Sequence, residues 1–375
     1  MMARYQRQMV LGEVGQKGQR RLLNSRVLVV GAGALGSAAA TYLALAGVGT
    51  VGLVDGDVVE LSNLHRQILH DSDQVGVLKT ESAQRRLGAL NPDVRVVEHP
   101  VFLNRDNTLG IFAPYDVIVN GSDNFPTRYL VNDAAVLLQK PLVDAAILRF
   151  EGQLAVFRPG LGCYRCLFPE PPPLGTVPDC AVAGILGAVA GVMGSMQAVE
   201  TLKLLLGLSN DNRLRIYDAL AGTWYPVPFM RDPACRVCGD APTVSTLIDY
   251  ENFCGVAAGL DDRGSGVAGE WSVTVDEADS LLADPNLLVI DVRDPREYAA
   301  GHIPGAVRLN LEDLDAWVSH HADQKTLVVC QVGIRSASAT EYLRLNQMDA
   351  WNLAGGTRAW EASGRPLSQE DAQNT

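Results

Sequence analysis

Residues 1–8 are polar and lack an apolar run, so no secretion signal is expected. The chain is short of positive charge, with 31 Lys and Arg against 43 Asp and Glu and a formal net charge of -12. That balance disfavours direct binding to nucleic acid or to anionic membranes. No internal repeat is visible, which argues against solenoids and propellers. Cysteine is sparse and odd in number: of seven, four fall in two Cys-x-x-Cys pairs. In a long chain with no secretion signal expected, this reads as metal binding or catalysis and not as a disulfide scaffold. Residues 181–199 form a charge-free run long enough to span a bilayer. Gly184, Gly187, Gly191 and Gly194, with Ser195 and Gln197, make it read as a buried small-residue helix packed closely on a neighbour. The expectation is a cytoplasmic protein with no membrane segment.

What is present fits an α/β fold in two parts. A length of 375 residues predicts about two to three domains. In the first half, strand signals (26–30, 50–55, 94–98, 116–120, 141–147) alternate with helix signals (35–46, 126–139). That alternation predicts a mostly parallel sheet with helices on both faces. Residues 153–158, 214–218 and 223–228 read as later, antiparallel additions. Residues 257–269 are rich in Gly and Asp without an apolar period and read as linker. A second α/β unit follows, with strands at 287–292 and 326–330 and a helix at 336–345. The expected division is 1–245, a linker at 246–269, and 270–375.

Two places carry chemistry. Gly31-Ala32-Gly33-Ala34-Leu35-Gly36 follows a strand and opens a helix, which lets backbone approach phosphates at a helix N-terminus. Asp55 ends the next strand, where an acid can accept from a ribose hydroxyl. Alone, this pattern suits NAD or FAD. Ser62-Asn63-Leu64-His65-Arg66-Gln67, Lys79 and Asp123-Asn124 exceed what hydride transfer requires. An Arg and a Lys near a pyrophosphate can neutralise charge in nucleotidyl transfer, and a carboxylate at a strand end can hold Mg2+. A solvated basic face is the plain alternative for Arg66 and Lys79. The second place is Cys330-Gln331-Val332-Gly333-Ile334-Arg335-Ser336, where a strand ends in a Cys and a short loop feeds a helix. Loop N–H groups and the helix N-terminus favour a sulfur anion there. The pairs Cys163/Cys166 and Cys235/Cys238 can together close a tetrahedral structural Zn2+ site.

Residues 1–240 resemble the ubiquitin-activating-enzyme-like family, in particular its MoeB/ThiF-type adenylyltransferases. The resemblance rests on Arg4-Tyr5-x-Arg7-Gln8, the Gly-rich turn, Asp55-x-Asp57-Val58-Val59, residues 62–67, Lys79, Asp123-Asn124 and both Cys-x-x-Cys pairs. It implies a Rossmann-like domain that uses ATP. Asp55 would bind the ribose; Asn63, Arg66 and Lys79 would contact the phosphates; Asp123 would serve Mg2+ and catalysis. Arg7 would reach across a homodimer into the partner's site. Ala34 stands where many relatives have Gly. Cys180 lies in a Pro-rich stretch where relatives can form a thioester or a disulfide, so protein conjugation through Cys180 is the alternative activity.

Residues 270–366 resemble a rhodanese domain. Val289-Ile290-Asp291-Val292-Arg293, Glu297-Tyr298, residues 301–306, the Cys330 loop and Gly355-Gly356-x-x-Ala359-Trp360 carry the match. By that resemblance Cys330 carries a persulfide, residues 331–336 cradle its terminal sulfur, and Arg335 adds positive charge. Gln331 replaces a residue often basic in relatives. The fusion resembles MoeZ-type adenylyltransferase/sulfurtransferases. It implies adenylation of the C-terminal glycine of a ubiquitin-like sulfur carrier, then formation of a thiocarboxylate with sulfur from Cys330. The implied partners are a Gly-Gly-ending carrier and a persulfide donor such as a cysteine desulfurase, or thiosulfate. The implied pathways are molybdenum cofactor, thiamine, cysteine or tRNA thiolation.

Overall fold

A computed structural model describes residues 2–172, 184–208, 211–254, 271–293, 295–322 and 324–369. The expected linker at 257–269 and Cys180 lie outside the described residues. The chain divides into two compact units, the first ending at Cys254.

In the first unit, β1 (Arg26–Val30), β2 (Thr50–Val54), β3 (Arg95–His99), β4 (Val117–Asn120) and β5 (Leu142–Leu148) are parallel. Next come β6 (Glu151–Phe157), β7 (Arg213–Asp218) and β8 (Thr223–Pro228), all antiparallel. The strand order is β3-β2-β1-β4-β5-β6-β7-β8. β1, β2 and β4 are almost wholly buried runs of Val, Leu and Ile, as expected for parallel strands covered on both faces. Their side chains merge with Leu35, Ala39, Leu43, Leu87, Val189 and Met193 from the covering helices in one core. β5 turns into β6 at Arg149, whose φ is 55°, and the hairpin pairs Leu148 with Glu151. The chain order reverses between β1 and β4, so the loops after those strands open the crevice where such sheets bind ligands.

The apolar stretch read as a buried helix is the Gly187–Leu206 helix. It is long and apolar enough to cross a membrane by length and composition. Here its inner side lies on the sheet and on the Ala34–Leu45 helix. A Cβ at Gly194 would stand 2.4 Å from the Leu35 carbonyl oxygen, so only glycine permits this approach. Gln197 donates to the Asn120 carbonyl at 2.6 Å, and Glu200 is buried and paired with Lys203.

The second unit is a five-stranded parallel sheet in the order β11-β10-β12-β13-β9. Its strands are β9 (Ser272–Val273), β10 (Leu288–Asp291), β11 (Val307–Arg308), β12 (Thr326–Val329) and β13 (Ala350–Leu353). Two apolar clusters cover its faces. One is built around Val289, Leu327, Tyr298 and Trp360, the other around Ile290, Val328, Leu343 and Met348. The helix expected at 336–345 begins earlier, as Ile334–Leu345, because Gly333 at φ 89° makes the turn that starts it.

Candidate functional site

The first site forms where β1 and β4 end. Gly31, at φ 86°, turns the chain away from β1, and a Cβ there would sit 3.1 Å from the Gly121 carbonyl oxygen. A Cβ at Gly36 would lie 1.8 Å from the Gly31 carbonyl oxygen. The turn can close onto the Ala34–Leu45 helix only with glycine at both places. Ala34 opens that helix, and Gly33 precedes it as the N-cap.

Asp55 fastens the turn from β2. Its Oδ2 accepts the Ala32 N–H at 2.8 Å, and its Oδ1 accepts the Asp57 N–H at 2.9 Å. Burial raises its pKa above the ordinary carboxylate value, opposed by Lys79 and those two N–H groups. Lys79 is buried, with Nζ donating to Asp57 Oδ2 at 2.8 Å. The chain Ala32–Asp55–Asp57–Lys79 thus joins three of the expected residues through Asp57, for which the sequence suggested no role.

The segment 62–67 packs beside the turn. Asn63 is buried, and Arg66 curls back so that Nη1 donates to the Ser62 carbonyl at 2.9 Å. The His65 Nδ1 meets the same oxygen at 3.0 Å. Leu64 is half-buried between them. Gln67 reaches over Gly33, and the start of the Gly187–Leu206 helix abuts the His65 carbonyl. Across the crevice Asp123 and Asn124 are exposed. Asn124 caps the Phe125–Leu137 helix by accepting the Thr127 N–H at 2.9 Å. A buried network holds this loop: Arg128 donates to Asp144 at 2.6 Å and to the Ser122 carbonyl at 3.0 Å, and Asn120 donates to Asp144 at 2.7 Å. Sequence reasoning missed Arg128 and Asp144; an acid inside the apolar run of β5 was the available signal. Arg7 is exposed on the Gln6–Met9 helix. The geometry offers a glycine turn at a helix N-terminus, a carboxylate beside it, a cationic side and an exposed acid opposite. Such a crevice can hold a nucleotide and neutralise charge at its phosphates.

The four paired cysteines converge. Their sulfurs all lie within 4.8 Å of one another, with separations of 4.0 Å (Cys163–Cys166), 3.6 Å (Cys163–Cys235) and 3.4 Å (Cys166–Cys238). Tetrahedral zinc with bonds of ~2.3 Å requires sulfurs ~3.8 Å apart, so the set fits such an ion. Backbone N–H groups of Cys163 and Asp232 point at Cys166 Sγ. Arg165, between the first two cysteines, is buried and makes two hydrogen bonds of 2.9 Å to Asp133. Tyr250 donates to the same carboxylate at 2.8 Å. Cys254 is a separate, buried thiol whose pKa burial raises to about 11.

In the second unit, Cys330 follows β12 directly and is 1 % exposed. Its sulfur receives the Gly333 N–H at 3.2 Å and the Ser336 hydroxyl at 3.3 Å. Gly355 and Gly356 pass behind it. A Cβ at Gly356 would lie 2.1 Å from the Cys330 carbonyl oxygen, and Thr357 N–H donates to that carbonyl. Gln331 Oε1 accepts from Arg293 Nη1 at 2.9 Å, and Arg293 is clasped by buried Asp291. Arg335 forms a two-bond ion pair with Glu297 at 2.8 and 2.9 Å. Val332 is half-buried in the loop, and Ile334 begins the following helix. His302 stacks on Tyr298 with ring centroids 3.9 Å apart. A sulfur surrounded by N–H and O–H donors at the head of a 12-residue helix is suited to carry negative charge.

Comparison with known proteins finds a match for each unit. The ThiF family matches residues 5–237, and the rhodanese-like domain matches residues 274–363. A "Sulfur carrier protein adenylyltransferase" of Thermus thermophilus is 55% identical over 68% of this chain and 96% of its own length. A Mycobacterium tuberculosis protein, "Probable adenylyltransferase/sulfurtransferase MoeZ", is 42% identical over 97% of this chain and 94% of its own. "Adenylyltransferase and sulfurtransferase MOCS3" of Aedes aegypti is also 42% identical, over 96% of this chain and 86% of its own. Among solved structures, E. coli MccB with ATP superposes with a TM-score of 0.55 at 25% identity, covering 63% of this chain and 73% of that one. Adenylyltransferases use ATP. The chain belongs to the ThiF family, carries a rhodanese-like domain after it, and is an adenylyltransferase and sulfurtransferase.

Proposed function

We propose that the first unit adenylates the C-terminal glycine of a small ubiquitin-like sulfur carrier ending in Gly-Gly. The second unit then supplies sulfur from a persulfide on Cys330. In the first step a carboxylate oxygen of the carrier bonds to the α-phosphorus of ATP and pyrophosphate leaves. Asp55 would hold the ribose, and the Gly31–Gly36 turn with Asn63, Arg66 and Lys79 would hold the phosphates. Asp123, an exposed oxygen donor in a loop braced by Arg128 and Asp144, suits Mg2+, which when bound offsets phosphate charge. Positioning and charge neutralisation carry the rate, and no enzyme nucleophile is needed. In the second step the terminal sulfur on Cys330 attacks the acyl carbon and AMP leaves. A thiol then reduces the resulting acyl disulfide, releasing the carrier thiocarboxylate and giving a disulfide.

The observation that carries this reading is the join, in one chain, of a phosphate-accepting glycine turn to a donor-lined cysteine loop. The cysteine quartet is assigned to structural Zn2+, because four sulfurs leave no open position for chemistry. The functional division is proposed at 1–245 and 270–375, with residues 246–254, read from the sequence as linker, packed in the first unit through Tyr250 on Asp133. A homodimer is supported by an exposed apolar strip that includes Tyr42, Ile68, Val192 and Val199, with exposed Arg7 available to a second copy. The sulfur donor is a protein persulfide or thiosulfate, and the reaction belongs to the cytoplasm. The test is incubation of the full chain with a Gly-Gly-ending carrier, ATP, Mg2+, thiosulfate and a thiol. The expected product is a carrier 16 Da heavier, as ~16 Da separates thiocarboxylate from carboxylate when sulfur replaces oxygen. Unchanged carrier mass with ATP intact would overturn the reading.

A further inference from the structure

His70 is 5 % exposed and lies against the inner side of the Gly-rich turn. Its Nε2 is 3.0 Å from the Ala32 carbonyl oxygen, and its Nδ1 is 2.8 Å from Ser82 Oγ, which also bonds the Gln74 side chain. A carbonyl oxygen only accepts, so Nε2 carries a proton. Burial, with Lys79 adding to it, lowers the pKa of this histidine below the ordinary value, which favours the neutral ring. The Nε2–H is thereby committed to the Ala32 carbonyl.

The consequence falls on one peptide. Ala32 is gripped at both ends, its N–H by Asp55 and its C=O by His70 at 3.0 Å, with the Ser37 hydroxyl a longer 3.4 Å from the same oxygen. In a trans peptide the Ala32 C=O and the Gly33 N–H point in opposite directions. Drawing the carbonyl inward to His70 therefore aims the Gly33 N–H outward. Outward is open: a Cβ on Gly33 would meet only Gln67 Nε2, at 3.7 Å. The opposite peptide orientation would present the carbonyl dipole to an anion in the crevice and strand the buried imidazole N–H.

We propose that His70 is a positioning residue for nucleotide binding, which fixes the Ala32–Gly33 peptide so that its N–H faces the phosphates. The inference rests on the nucleotide reading of the turn. It assigns His70 no contact with substrate and no proton transfer.

The test measures Mg-ATP affinity of the full chain by calorimetry, with the thermal midpoint and thiosulfate:cyanide sulfur transfer followed in parallel. His70→Leu removes the donor, and His70→Gln keeps an N–H able to reach a carbonyl. The leucine variant is expected to bind Mg-ATP about tenfold more weakly, the glutamine variant to recover most of that loss, and sulfur transfer to stay unchanged in both. Wild-type affinity in folded His70→Leu overturns the proposal, as does a glutamine variant no better than leucine. If the leucine variant does not fold, Ser82→Ala replaces it: without the hydroxyl that fixes the ring, weaker Mg-ATP binding supports the proposal and unchanged binding overturns it. Absence of Mg-ATP binding by the wild-type chain is a different result and refutes the nucleotide reading itself.

Discussion

Cys330 and Gly36 show how much a single residue can owe to its backbone surroundings. Cys330 is buried, yet its sulfur faces a loop N–H, a hydroxyl and a helix N-terminus. These groups suit an anion and the negative end of a persulfide. Gly36 has the opposite kind of role, since its value lies in having no side chain. Gly36→Ala would force a Cβ to within 1.8 Å of the Gly31 carbonyl oxygen, so the turn must open. Displacing phosphate-facing backbone by ~1 Å is expected to lower ATP–pyrophosphate exchange about 10²-fold while leaving sulfur transfer at Cys330 intact. Exchange kinetics with a carrier present would check this; wild-type exchange would show that the turn does not position the nucleotide. Both residues were legible in the sequence because glycine and cysteine announce themselves by type. Asp57 and Glu297 were legible only as motif residues and His70 not at all, because their roles lie in partners 22, 38 and 38 residues away.

At the scale of elements, the strands that build the site were readable from their apolar runs. Residues 26–30 and 223–228 coincide with β1 and β8, and β2, β3, β4 and β5 depart from expectation by a residue at one or both ends. Elements with little periodicity of their own escaped notice. β9 and β11 have two residues each, and only their neighbours in the sheet define them. The Val275–Leu282 helix had a readable signal in its Thr274–Glu277 capping box. The short Tyr164–Leu167 helix between two of the cysteines is stabilised by contacts far along the chain. Arg165 pairs with Asp133, Tyr250 donates to the same carboxylate, and the guanidinium lies 4.4 Å from the Phe253 ring centroid. Asp133 is wholly buried, so Asp133→Ala would leave Arg165 buried without its counter-charge. The expected loss is about 3–5 kcal/mol of stability in the first unit, measured by denaturant unfolding. A loss below about 1 kcal/mol would mean that the pair contributes little beyond packing.

Over the whole molecule, the cysteine quartet brings together segments more than 60 residues apart, and zinc bound there would stabilise the first unit. Metal analysis is expected to find about one zinc per chain. Chelation should lower the unfolding midpoint of the first unit and leave that of the second unchanged. Equal loss in both units, or metal-free protein of full stability, would contradict the assignment. The two chemistries are likewise expected to be separable. The most direct measurement follows the mass of a Gly-Gly-ending carrier incubated with ATP, Mg2+, thiosulfate, a thiol and either the wild-type chain or Cys330→Ala. The account predicts thiocarboxylate with the wild type. With the variant it predicts AMP-activated carrier and continued pyrophosphate exchange, but no thiocarboxylate. Full thiocarboxylate yield from Cys330→Ala, or loss of adenylation in that variant, would contradict it.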